Sequence, residues 1–117
     1  MKKIISLLIC MLLLTACGNK GYEVIDTNQA QDIINGGAVL IDVRTSDEYN
    51  REHIPNAVNI PLDQIDTIAY DKDTKIIVYC QSGMRSRQAV KILMDNGYTN
   101  LYDLDGGLLN WGGALEE

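Results

Sequence analysis

The chain is poor in positive charge. Ten Lys and Arg stand against sixteen Asp and Glu, a formal charge of -6, and no stretch gathers the cations into a stripe. Such a surface cannot replace counterions along a phosphate backbone, which excludes nucleic acid as a partner. Long apolar runs are scarce too. The longest, from Ile4 to Leu14, is interrupted by Ser6 and falls short of the roughly 20 residues that a membrane-spanning helix needs. Internal repeats and low-complexity segments are absent. With 117 residues, the chain has room for one domain with a small but sufficient core. Histidine occurs once and cysteine three times, so the placement of each is informative.

The apolar run has the layout of an export signal. Lys2 and Lys3 form a positive start, Ile4 to Leu14 the hydrophobic stretch, and the small residues Thr15 and Ala16 precede Cys17. A buried core helix would need a polar face, and this run has none. Leu14-Thr15-Ala16-Cys17 resembles the lipobox of bacterial lipoproteins. That resemblance implies cleavage before Cys17 and lipid on its thiol and new amino group. Residues 1–16 are then a signal peptide, and 17–21 a lipidated cysteine with a short tether. Residues 22–117 form the folded domain, expected as a monomer on the outer face of a bacterial membrane. Cleavage discards Lys2, Lys3 and Cys10, and leaves Cys80 as the only thiol. One cysteine and one histidine cannot close a zinc site, so no metal is expected. An unpaired cysteine in an exported domain is a liability unless it performs chemistry.

Cys80 stands in a revealing context. The apolar run Ile76 to Tyr79 ends in it, a polar turn with Gly83 follows, and a helical pattern opens at Arg85 or Ser86. A strand–loop–helix unit of this kind sets Cys80 at the carboxyl end of a strand and aims the next helix N-terminus at its sulfur. Unpaired N–H groups of the turn then form a concave anion site. A thiol there is expected to be acidified and nucleophilic. The competing reading is a buried hydrophobe that finishes a core strand. Gly83, Arg85 and the helix start favour the nucleophile.

The rest of the chain alternates short strands with helices. Tyr22–Ile25 reads as a strand, and Thr27 as the cap of a helix over Asn28–Ile34 stopped by Gly36-Gly37. Ala38–Val43 reads as a strand buried on both faces. Thr45-Ser46-Asp47-Glu48 has capping-box spacing for a short helix to about Glu52. His53-Ile54-Pro55-Asn56 breaks that helix, Ala57–Ile60 is a brief strand, and Pro61–Ile68 a turn with a short helix. Ser86–Asn96 is helical with Ala89, Val90, Leu93 and Met94 on one side, and Leu101–Leu104 is the last strand. This order predicts an α/β sandwich with a mostly parallel sheet and right-handed crossovers. Its ligand site belongs beyond the carboxyl strand ends. Cys80, Arg44 and Asp105-Gly106-Gly107 all fall there.

Three motifs carry a resemblance. Ile41-Asp42-Val43-Arg44, with Glu48-Tyr49 and His53-Ile54-Pro55-Asn56-Ala57 through Ile60-Pro61, is similar to the first signature of the rhodanese family. Tyr79 to Ser86 resembles its active-site loop, and Asp105-Gly106-Gly107 with Trp111 its ending. The resemblance implies a five-stranded, mostly parallel sheet with helices on both faces. It also implies transfer of sulfane sulfur, without a cofactor, from a small sulfur-containing anion such as thiosulfate to cyanide or a thiol. Cys80 would carry the sulfur as a persulfide. Gln81, Ser82, Gly83, Met84 and Arg85 would supply amides around it, with Ser86 and Arg44 at the rim, and Arg85 would brace the loop or attract the donor. A non-enzymatic polysulfide-binding or sensing module is the alternative. A phosphatase or arsenate reductase is disfavoured, because such relatives use five residues between Cys and Arg and four separate Cys80 from Arg85 here. Asn56 replaces the usual glycine of its turn and tolerates a left-handed backbone. Position 81 is neutral Gln where some thiosulfate-using members carry a cation. His53 lies in a turn where the family uses it structurally, and an acidified thiol needs no base. Asp42 and Arg44 read as a structural pair, Trp111 as a core anchor, and Asp63, Asp66, Asp71 and Asp73 as a solvated face.

Overall fold

A computed structural model describes residues 21–117. The expected signal peptide of residues 1–16 and the lipidated Cys17 lie outside the described residues. The sheet comprises β1 (Tyr22–Ile25), β2 (Val39–Asp42), β3 (Val58–Asn59), β4 (Ile76–Tyr79) and β5 (Leu101–Leu104). Its order is β1-β5-β4-β2-β3, with every pairing parallel and β4 in the middle. The helices are α1 (Thr27–Asn35), α2 (Ser46–Arg51) and α3 (Met84–Asp95), with 3-10 turns at Leu62–Thr67 and Gly107–Asn110.

β4 is central because nothing in it needs water. Ile76, Ile77, Val78 and Tyr79 are all buried, which a strand covered by helices on both faces requires. Alternation along the strand divides the core. Ile76, Val78 and Cys80 join Ile41, Val43 and Leu101 beneath Ala89, Val90 and Leu93 of α3 and Ile65 of the first 3-10 turn. Ile77 and Tyr79 join Leu40, Leu104 and Ile25 against Ala30 of α1, Ile54 and Leu108. Trp111 packs on this second face, half-buried, and its indole N–H donates to the Ala114 carbonyl. Asp63, Asp66, Asp71 and Asp73 are exposed, as a solvated face should be.

Local chemistry sets the helix starts. Thr45 caps α2 in a full capping box with Glu48. For α1 the cap is Asp26, one residue before the expected Thr27. Its carboxylate accepts from the Gln29 N–H, and the Gln29 side chain accepts from the Asp26 N–H. Asp26 prevails because its spacing to Gln29 satisfies two orphan donors at once, which Thr27 cannot do. The start of α3 at Met84, two residues before Ser86, follows from Gly83 at φ 109°. Asn56 adopts φ 72°, the left-handed turn expected of it.

The carboxyl end of β2 is closed by a charged clasp. Arg44 is 2% exposed and Asp42 is fully buried. The guanidinium meets both carboxylate oxygens, with Nη2 2.7 Å from Oδ2, and donates also to the Glu52 carbonyl. Burial pulls the Arg44 pKa down, but the Asp42 contacts outweigh it and the net shift is upward. The guanidinium is thus held charged in the interior, and removing it strands its buried carboxylate partner. Arg44→Ala is expected to destabilise the domain by about 3–5 kcal/mol in urea unfolding, the cost of an uncompensated buried charge. A loss under 1 kcal/mol would show that Asp42 is not held by Arg44.

Candidate active site

Cys80 follows β4 directly, so the sheet fixes where its sulfur lies. It is only 1% exposed. The two readings of this residue therefore merge: it finishes a core strand and stands at the head of an anion loop. The Gly83 N–H donates to Sγ at 3.0 Å and the Ser86 N–H at 3.4 Å. Both donors belong to the start of α3, and hydrogen bonds of this kind stabilise negative charge on the sulfur. Gly83 can present its N–H this way because its backbone is left-handed, which costs glycine nothing.

The remaining predicted residues separate into distinct positions. Ser82 and Met84 are exposed and Gln81 is half-buried. The amides of Ser82, Met84 and Arg85 donate to no group among the described residues. None of the three donates to the sulfur, as Gly83 and Ser86 do. Gln81 is held by its side chain, whose Oε1 accepts from Arg44 Nη1 at 3.2 Å. Arg44 therefore reaches the site through Gln81. Together with Glu48, Arg51 and Glu52 these two residues line a cleft of about 510 Å³ beside the loop.

Arg85 braces. Its guanidinium grips the Glu48 carboxylate at 2.7 and 3.0 Å, bolting the first turn of α3 to α2. Glu48 is itself fixed, since Oε1 accepts from both the N–H and the hydroxyl of Thr45. The Arg85 hydrogen bonds, helped by Thr45 and opposed by burial, hold the Glu48 pKa down at about 2. On the other side the Leu108 and Leu109 N–H groups donate to the carbonyls of Cys80 and Gln81. Gly107, at φ 63°, makes this approach possible. A Cβ there would stand 2.4 Å from the Cys80 carbonyl oxygen, closer than any side chain can sit.

Two contacts were not evident from the motifs. Glu48 reads in sequence as half of a capping box and as part of the first signature, and its grip on Arg85 needs the fold. Asp103 is 4% exposed on β5 and accepts from Ser86 Oγ at 2.7 Å. Burial raises its pKa, while Ser86 and Arg87 oppose the shift. One signal existed: residue 103 shares a strand face with core Leu101, where a carboxylate is out of place. His53 is bound elsewhere. Its Nδ1 lies 2.8 Å from the Tyr49 carbonyl, its ring stacks on Tyr49, and its backbone pairs with Glu116.

Fold and site define a class: an α/β domain with a cysteine at the carboxyl end of the central parallel strand, enclosed by a loop that runs into a helix. The rhodanese-like domain profile matches residues 26–114, and the chain belongs to that family. It is 36% identical over 107 residues to the adenylyltransferase and sulfurtransferase uba4 of Ogataea parapolymorpha, covering 86% of this chain and 28% of that protein. It is 35% identical over 88 residues to a tRNA uridine(34) hydroxylase of Erwinia tasmaniensis, covering 68% of this chain and 25% of that one. The chain thus spans about a quarter of the length of these two relatives. A rhodanese-like domain protein of Staphylococcus aureus superposes with a TM-score of 0.71 at 31% identity, covering 80% of this chain and 96% of the other.

The Glu48–Arg85 brace makes a pH-dependent contribution. The folded Glu48 pKa lies below its unfolded value near 4.5, at about 2. Its stabilisation is therefore complete above about pH 4.5 and is lost as pH falls toward 2. For a partly exposed pair this amounts to about 1 kcal/mol. Urea midpoints measured across that window should fall further for the wild type than for Glu48→Gln. Parallel curves would mean that the brace contributes nothing.

Proposed function

We propose that the domain is a sulfurtransferase working through a persulfide on Cys80. The observation that carries this reading is the pair of backbone N–H groups on Cys80 Sγ at the mouth of the parallel sheet. The thiolate attacks the outer sulfur of a donor such as thiosulfate. The donor's S–S bond breaks and sulfite leaves with the bonding electrons. Cyanide or a thiol then attacks the terminal sulfur of the persulfide, and the Cys80 thiolate is regenerated. No cofactor or metal takes part in this sequence.

The loop residues divide the work. Gly83 and Ser86 hold the inner sulfur, while the amides of Ser82, Met84 and Arg85 receive the outer one. Arg85 keeps the loop rigid through Glu48, and Gln81, held by Arg44, forms the neutral wall on the cleft side. With four residues between Cys80 and Arg85, the ring suits a single sulfur atom better than a tetrahedral phosphate, because preorganised donors act only within about 2.7–3.1 Å of the charged atom.

The reading extends to placement. Lipid on Cys17 would hold the domain on the outer face of a bacterial membrane, and stable anchoring implies more than one acyl chain. Radioactive palmitate fed to cells should label the wild type and leave Cys17→Ala unlabelled. A wild type that never labels removes the anchor.

The catalytic reading is tested by intact mass. Purified protein treated with thiosulfate should gain the mass of one sulfur atom, and cyanide should remove it as thiocyanate. Cys80→Ser should do neither while staying folded, since the serine oxygen accepts from the same amides and the change costs about 1 kcal/mol. Wild-type protein that gains no sulfur from thiosulfate or polysulfide, and forms no thiocyanate, refutes the proposal.

A further inference from the structure

The sulfur chemistry leaves the buried carboxyl of Asp103 unused. Asp103 pairs with Val78 in the β4–β5 register, two residues before Cys80, and so lies on the sheet face that Cys80 shares. Ser86, itself fully buried, stands between them. Its Oγ is 3.6 Å from Cys80 Sγ and 2.7 Å from Asp103 Oδ1. A hydroxyl has one proton to give. The Gly83 carbonyl offers it a second acceptor at 3.2 Å, but the shorter contact to a charged oxygen prevails. The thiol can then donate to Ser86 Oγ while Ser86 donates to Asp103. Sulfur, hydroxyl and carboxylate form one continuous chain inside the core.

A thiolate and a carboxylate placed this close and this deeply buried strongly disfavour being charged together. We propose that Cys80 and Asp103 share a single proton through the Ser86 hydroxyl, with Asp103 as the positioning residue that receives it when the thiolate forms. The Cys80 S–H bond breaks as its proton passes to Ser86 Oγ, and the proton of Ser86 passes to Asp103 Oδ1. No electrons are exchanged and the net charge of the cluster is unchanged. Afterwards the chain runs the other way: the Asp103 carboxyl donates to Ser86, and Ser86 donates to the anionic sulfur. The raised Asp103 pKa agrees with a carboxyl able to hold the proton.

Other charges face this cluster. Arg87 on α3 favours ionised Asp103 and Asp105 beyond β5 opposes it. Arg85 on α3 faces Cys80 and is itself coupled to Glu48 and to Asp42 at the end of β2. These groups bias the position of the proton. They do not replace the hydroxyl link.

The inference rests on Cys80 being the nucleophile, so its test uses no sulfur donor and can succeed or fail independently of thiosulfate turnover. Infrared difference spectra at neutral pH should show a protonated carboxyl band in the wild type. The band should be absent from Asp103→Asn. It should be absent also from Cys80→Ser, whose hydroxyl keeps its own proton and leaves Asp103 ionised. Ser86→Ala should lose the band and slow iodoacetamide alkylation of Cys80 on the order of tenfold or more, and Ser86→Thr, which restores the hydroxyl, should recover both. A band that persists in Cys80→Ser, or an alkylation rate unchanged in Ser86→Ala, overturns the shared proton.

Discussion

The sulfur of Cys80 is placed where water scarcely reaches. Cys80 is 1% exposed, and an anion in such a position is costly unless donors surround it. The fold supplies them from the backbone. β4 ends, the chain turns once through Gly83, and α3 begins with its first N–H groups directed at the sulfur. Backbone donors need no side-chain ordering and cannot rotate away. The burial that makes the charge costly also makes each donor count for more.

Such a loop functions only while its shape is kept, and three elements keep it. Arg85 ties the α3 side to α2 through Glu48. Arg44 ties the β2 side through Asp42, the Glu52 carbonyl and Gln81. The turn after β5 holds the Cys80 and Gln81 carbonyls through two N–H bonds, made possible by the missing side chain of Gly107. Each brace comes from a different segment, and all meet at the carboxyl edge of one parallel sheet. Parallel strands bring that convergence about, because every strand delivers its following loop to the same edge.

The charged groups of the site divide by solvent access. Glu48 and Arg85 sit at the rim, 23% and 34% exposed, where their bond serves as a rigid fastener of modest worth. Asp42 and Arg44 are buried, and each requires the other. Asp103 is buried, has no salt bridge among the described residues, and accepts from the Ser86 hydroxyl at 2.7 Å. A carboxylate in that position is where protonation and structure become linked.

Much of this was legible beforehand. The all-apolar β4, the capping box of Thr45 and Glu48, the turn at Asn56 and the glycine after the cysteine are local signals, and local physics is written in neighbouring residues. From them follow the alternating α/β pattern and the sheet edge at which Cys80 stands. The cap of α1 falls at Asp26 and not at Thr27, because both suit the role and only the reciprocal bond to Gln29 chooses between them. Tertiary structure alone decided what lies across from each residue. That Arg85 grips Glu48, that Arg44 acts through Gln81, and that Asp103 sits behind Ser86 all depend on strand order and register. Those contacts span 17 to 37 residues of chain, a separation over which no sequence periodicity survives and only packing brings side chains together.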